Sequence, residues 1–458
     1  MKYSLFLKDK SFYQTVMRMA LPIALQNLIT IGINVADTMM LSMIGETAMA
    51  ASSLATQYIN IFQVFCMGLS MGASVLAARF WGSGDLDSLR KTVTIMLRIC
   101  LALATVFTLI TALAPTAVMR LYTEDVSLIT EGVKYLNYSV LTFYFQGISW
   151  VCTIVLRSVR KVRLPLVVSV ISFVVNIVGN YVFMFGKLGF PAMGVAGAAL
   201  STLCVRIVEF VVIVGYFICV EQDIGFRPRH LFLKTRDLLG EYIRISLPVL
   251  CSDGIGTLGS TGMTMIIGRM GVVYTSANAI VSVWDRMMSV FYSGVSQTSS
   301  VFVGNAMGEG KNEKAREQGY AFIGIGVLLG ILSSVIALCL PAVVIPLYHL
   351  TGDSAAVTRQ MLYVSAFVLL WQGPVHIMTK GVLRGGGDTR ILMIMDNVFQ
   401  WCPAILLGAL TGLVFHCPAW LVYLCLKSET FPKAFWAAKR MISGKWMKKI
   451  RTAQNPDS

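Results

Sequence analysis

The sequence predicts an all-α integral membrane protein: twelve transmembrane helices in two pseudo-symmetric six-helix bundles. Three observations carry this fold class. The chain is too apolar for water, its apolar stretches have spanning length, and its two halves repeat. Of 458 residues, 56% are hydrophobic and 13% charged, with a mean hydropathy of +0.71. A soluble domain carries roughly twice that charged fraction. Lipid must therefore solvate most of the outside.

A bilayer's hydrocarbon layer is ~30 Å thick, so a spanning helix needs about 20 mostly apolar residues. Stretches of that kind fall near 15–40, 52–78, 93–115, 134–156, 164–186, 193–220, 242–268, 277–303, 318–342, 361–383, 390–412 and 415–432. They are long and rich in Ala, Leu, Met and Gly, which favours helices over the alternating ten-residue strands of a membrane β-barrel. Gly and Pro punctuate the connections, at Gly82 and Gly84, Pro115, Gly308 and Gly310, Pro341, and Gly385 to Gly387. The first stretch contains Asn34 and Asp37 and lacks a cleavage signal, so it reads as a retained helix. Ten scattered cysteines show no metal-binding spacing and read as small core hydrophobes.

The net charge of +15 does not indicate nucleic-acid binding, because the basic residues flank the apolar stretches. With the N-terminus inside, thirty Lys and Arg fall on inner segments and five on outer ones. That is the positive-inside bias, and it places both termini and the polar segment 221–241 in the cytoplasm. The expected organisation is a first bundle over 1–220, a cytoplasmic linker over 221–241, a second bundle over 242–432 and a basic cytoplasmic tail over 433–458. A monomer in the plasma (inner) membrane is the expected state.

A single shift of 226 positions relates the halves. It pairs Arg18-Met19-Ala20-Leu21-Pro22 with Arg244-Ile245-Ser246-Leu247-Pro248, and Thr38-Met39 with Thr264-Met265. It also pairs Gly82 and Gly84 with Gly308 and Gly310, Pro115 with Pro341, and Gln146-Gly147 with Gln372-Gly373. Six spans return the chain to its starting side, so the repeats are parallel, related by an axis along the membrane normal. Repeats of this kind are typical of alternating-access transporters.

Specific motifs then become readable. Leu21-Pro22, Val35-Ala36-Asp37-Thr38-Met39-Met40 and Ile44-Gly45 resemble the first helix of the multidrug and toxic compound extrusion (MATE) family. Gly194-Val195-Ala196-Gly197-Ala198-Ala199 resembles its sixth-helix signature, and Leu383-Arg384-Gly385 with Gly387-Asp388-Thr389 its loop after the tenth helix. The resemblance covers residues 13–440. It implies export of amphipathic, often cationic, small organic compounds, driven by Na⁺ or H⁺ and needing no cofactor. It also implies a cation-coupling site at Asp37, Asn176 and Thr202, with Asn180 standing where some members carry Asp. A possible Na⁺ would be held by those four residues. The second-half acids of other members have no convincing counterpart.

A carboxylate inside a membrane costs about 2.5–3.5 kcal/mol on insertion scales, and faces a cavity or a partner. The structural alternative for Asp37 is a hydrogen bond to a neighbouring Asn or Ser. Asn176 and Asn180 share one helix face, and interhelical hydrogen bonding is their alternative role. Arg206 and Glu209, three apart, read as an ion pair. Asp253, Asp285, Arg286, Gln372 and Asp396 are candidates for a substrate cleft, and Lys380 for a side chain that snorkels inward. Clustered Met in the second half suits varied ligands, although packing explains most of it. Two other functions compete. A lipid-linked oligosaccharide flippase would need more basic residues in its cleft. A membrane enzyme would need a His or Asp constellation that the sequence does not display.

Overall fold

A computed structural model describes residues 9–449, so the expected cytoplasmic ends, 1–8 and 450–458, lie outside the described residues. Nearly every described residue is helical and none is in a strand. Among the described residues eight helices are each long and apolar enough to cross a bilayer. They are Lys10–Ser42, Glu46–Ser83, Leu86–Leu113, Arg163–Phe185, Val195–Val220, Asn312–Leu347, Gly352–Leu383 and Thr389–Val414. Val126–Ser139 and Thr142–Ser158, bent by 54°, together make a ninth.

Arg236–Arg269 and Val272–Gly308 have the length, at 34 and 37 residues. Charged and hydroxyl side chains such as Asp253, Thr257, Asp285 and Arg286 dilute their apolarity. The expected last span, 415–432, is broken. Ala419–Leu426 has eight residues and is followed by a separate helix, Thr430–Ser443. Eight residues rise only about 12 Å.

The chain divides into two compact units. The first consists of Leu25–Ala77 and Asp85–Ile243. The second consists of the chain up to Ala24, Ala78–Gly84 and Arg244 onward. The ends of the first two long helices thus group with the second unit, whereas the sequence assigned them to the first bundle. Phe12 shows why: its ring packs edge-on against Phe302 and Phe322, at 5.8 and 5.4 Å. In the first unit Phe62 and Phe143 make the corresponding kind of contact at 5.1 Å.

Glycines set the closest approaches. A Cβ on Gly147 would lie 2.6 Å from Cys100 Sγ, and one on Gly373 would lie 2.6 Å from Gly326 O. Gly147 pairs with Gly373 under the 226-residue shift, and so does Cys100 with Gly326. The same helix crossing therefore recurs in both halves of the sequence.

Segment 221–241 packs within the first unit. Arg98 donates to Leu231 O (2.6 and 2.9 Å) and Leu233 O (2.9 Å), and Arg90 Nε donates to Ile224 O at 2.8 Å. Lys161 pairs with Glu221 and Asp223 at 2.7 and 2.5 Å. The expected tail is also docked. Lys433 lies in the Thr430–Ser443 helix, and Trp446 is fully buried beside Gly386. Lys448 N donates to Gly386 O at 3.0 Å, and Arg79 Nη1 donates to Lys448 O.

Proline marks backbone irregularity in the second unit. Pro374 has no N–H to give and precedes a π-helical stretch, Ile377–Leu383. A second such stretch, Gln400–Ile405, contains Pro403. Widened turns of this kind are concentrated at functional sites.

Candidate functional site

In the first unit, three helices bring a carboxylate and two amides together. Asp37 comes from Lys10–Ser42, Asn176 and Asn180 from Arg163–Phe185, and Thr202 from Val195–Val220. The Gly194-to-Ala199 motif has a physical reason. A Cβ on Gly197 would lie 2.4 Å from Phe183 O, and one on Gly179 would lie 2.5 Å from Ser201 Oγ. The last two of these helices therefore touch backbone to backbone. Ser201 Oγ donates to Asn176 O at 3.1 Å.

Asp37 Oδ1 accepts from Asn176 Nδ2 at 2.9 Å and from Asn180 Nδ2 at 2.5 Å. Both asparagines are fully buried, while Asp37 is half-buried. Asp37 faces a cavity of about 580 Å³ that Thr202, Arg206, Glu209 and Gln146 also line. Arg206 Nη1 donates to Glu209 Oε2 at 2.7 Å, as their spacing predicts. Arg206 is thus engaged by Glu209, and Asp37 makes no ion pair of its own among the described residues. Gln146 is 1% exposed, and neither polar atom of its amide has a partner. The sequence reading counted Gln146 only as a repeat marker. Its apolar surroundings, Phe143 and Phe145 on the same helix, were the available signal.

The second unit holds a different cluster. Lys380 Nζ lies 2.8 Å from Asp253 Oδ1 and 3.2 Å from Asp396 Oδ2. Arg384 Nη2 is 3.4 Å from Asp253 Oδ1, and Lys433 Nζ is 3.6 Å from Asp396 Oδ1 and 2.9 Å from Glu429 Oε2. Ser252 Oγ donates to Asp396 Oδ2 at 3.1 Å. Lys380 therefore does not snorkel; it bridges two carboxylates.

The other cleft candidates separate. Asp285 accepts from Ser365 Oγ at 2.8 Å and Tyr423 Oη at 3.0 Å, and pairs with Lys427 at 3.1 Å. Arg286 is exposed and Gln372 half-buried. Neither joins the Asp253–Asp396 cluster. Among the described residues no three His, Cys, Asp or Glu side chains gather as a metal site. At Asp37 one carboxylate is met by two amide N–H groups, and the Thr202 hydroxyl side chain lines the same cavity.

Long apolar helices, a sequence repeat, and charged clusters held inside helical bundles define a polytopic membrane transporter of the two-half kind. Comparison with known proteins narrows this. The MatE family profile matches residues 22–182 and 248–429, and the chain belongs to that family. It is 23% identical over 411 residues to the multidrug resistance protein MdtK of Yersinia enterocolitica, covering 87% of this chain and 88% of that one. It is 26% identical over 419 residues to the probable multidrug resistance protein NorM of Synechocystis, covering 88% of each. A crystal structure of MATE in the bent conformation superposes with a TM-score of 0.84 at 19% identity, over 94% of this chain and 96% of that one. A MOP superfamily transporter from Pyrococcus furiosus, described as having a binding pocket of reversed polarity, gives 0.83 at 18% over the same shares.

Proposed function

We propose that this MATE-family chain is a secondary active antiporter. It exports amphipathic, cationic small organic compounds across the plasma membrane in exchange for Na⁺ or H⁺, and Asp37 takes the coupling ion. The observation that carries this is the Asp37 carboxylate: in no ion pair among the described residues, held by two buried amides and facing a cavity of about 580 Å³. As placed, both asparagines turn N–H toward Asp37 Oδ1. A bound Na⁺ requires their oxygens instead, a rotation of each amide about its terminal torsion. A proton needs no such turn. Either ion removes the charge those N–H groups serve, so loaded and empty states favour different packings. The coupling energy is that difference.

In this reading the two halves are repeats of one another in sequence. The chain works as a monomer without a cofactor and catalyses no covalent step. Both termini and segment 221–241 face the cytoplasm. Against a flippase, Arg206 and Lys380 are neutralised by carboxylates and do not stand ready for a pyrophosphate.

The test is efflux of a fluorescent organic cation from vesicles under imposed Na⁺ or H⁺ gradients. Asp37→Asn should abolish gradient-driven efflux while leaving an inserted, folded protein. Efflux at the original rate by that variant would make Asp37 structural only.

A further inference from the structure

The second-unit cluster is balanced. Asp253, Asp396 and Glu429 face Lys380, Arg384 and Lys433, three acids against three bases in one connected set of contacts. Its centre is the Lys380 ammonium, which touches both central carboxylates at 2.8 and 3.2 Å. Arg384 and Lys433 reach the same two acids at 3.4 and 3.6 Å. Two carboxylates this close inside a bundle need a cation between them, because like charges disfavour joint ionisation.

The backbone is built to deliver that cation. Gly381 packs against Ser299, where a Cβ would lie 2.0 Å from Oγ, and this fixes the rotation of the π-helical stretch Ile377–Leu383. Lys380 is thereby aimed at acids on two other helices, Arg236–Arg269 and Thr389–Phe399. Around its ammonium stand oxygens of two carboxylates, with the Ser252 hydroxyl on one of them. That is the donor chemistry of a hard monovalent cation.

We propose that Lys380 is a tethered cation. It fills the place between Asp253 and Asp396 that Na⁺ or another small monovalent cation would otherwise take, so that place is closed to an exchangeable ion. Removing the ammonium while keeping both acids should open that site. The proposal stands apart from the role given to Asp37, and its test is run with Asp37 already neutralised.

The full-length protein carrying Asp37→Asn is purified in detergent. Binding of radioactive Na⁺ and the unfolding temperature in Na⁺ or methylammonium are measured at constant ionic strength. Asp37→Asn alone should bind no Na⁺. Adding Lys380→Ala should create saturable Na⁺ binding near one per chain, and unfolding should shift upward with Na⁺ or methylammonium but not with choline. Further addition of Asp253→Asn should remove the binding. Na⁺ binding by the Asp37→Asn protein that Asp253→Asn abolishes would overturn the proposal, as would no cation response after Lys380→Ala.

If Lys380→Ala is not recovered folded, the balanced pair Lys380→Met with Asp253→Asn decides. Recovery of that pair without Na⁺ binding supports the tethered cation. Loss of the pair together with the single variant shows that Lys380 serves packing and refutes it.

Discussion

The Asp37 cavity and the Asp253–Lys380–Asp396 cluster place carboxylates inside helical bundles in opposite ways. Asp37 is met by neutral amide donors, which steady the carboxylate without cancelling its charge. Asp253 and Asp396 are met by lysine and arginine, which cancel theirs. A neutral hydrogen-bond partner leaves room for a mobile ion to bring the missing charge, whereas a covalently attached ammonium does not. Within the 226-residue shift Asp253 stands opposite Asn27 and Asp37 opposite Met263, so neither acid has an acidic counterpart in the other half. The repeat preserved the scaffold, and each half acquired its own charges.

Breaking the contrast at Asp37 should have the largest effect. Asp37→Asn should bring gradient-driven efflux down to the level of empty vesicles, with the unfolding temperature little changed. Lys380→Ala comes next, acting on stability. Stranding a buried charge costs about 3–5 kcal/mol. Lys380 keeps 28% of its side chain exposed, which moves the loss toward the lower end. A fall in unfolding temperature that Lys380→Arg largely repairs is the expected result.

Asn180→Asp sharpens the comparison from the other side. It adds a second acid to a site with one, at the position where the family resemblance implies Asp in some members. Na⁺ affinity, read by isothermal titration, should rise by roughly tenfold, about 1.4 kcal/mol. An unchanged affinity would mean that position 180 does not face the ion. The smallest effect belongs to Arg206 and Glu209. Converting both to glutamine removes an (i, i+3) pair worth about 0.2–0.5 kcal/mol. Unfolding should barely move, and the Na⁺ dependence of efflux should stay as it was.

Much of this was legible in the sequence. Apolar stretches of spanning length located the helices because lipid imposes a length that composition reveals. The Asp37, Asn176, Asn180 and Thr202 constellation came from family motifs, and its four residues do line one cavity or touch in it. The second cluster was only half legible. Asp253 and Asp396 stood out as acids in apolar stretches. Their partner Lys380 is 127 residues from one and 16 from the other, and no local pattern encodes such pairings. Lys433 was read as tail because basic residues near a cytoplasmic end are usually solvated. The packing of Trp446 beside Gly386 shows that this end is structured beyond the last apolar stretch. Asp285, Arg286 and Gln372 were candidates by polarity alone, and polarity does not say which side a residue faces.

The hold of Arg90, Arg98 and Lys161 on the segment 221–241 has a mechanical consequence. As a free coil, 21 residues would have a root-mean-square span of about 25 Å and would absorb displacement as slack. Stapled at Ile224, Leu231 and Leu233, that chain has almost no slack to give. It is stiff over its own length, so a pull on Ile224, Leu231 or Leu233 is passed to Arg90 and Arg98 of the Leu86–Leu113 helix without being lost as entropy in between.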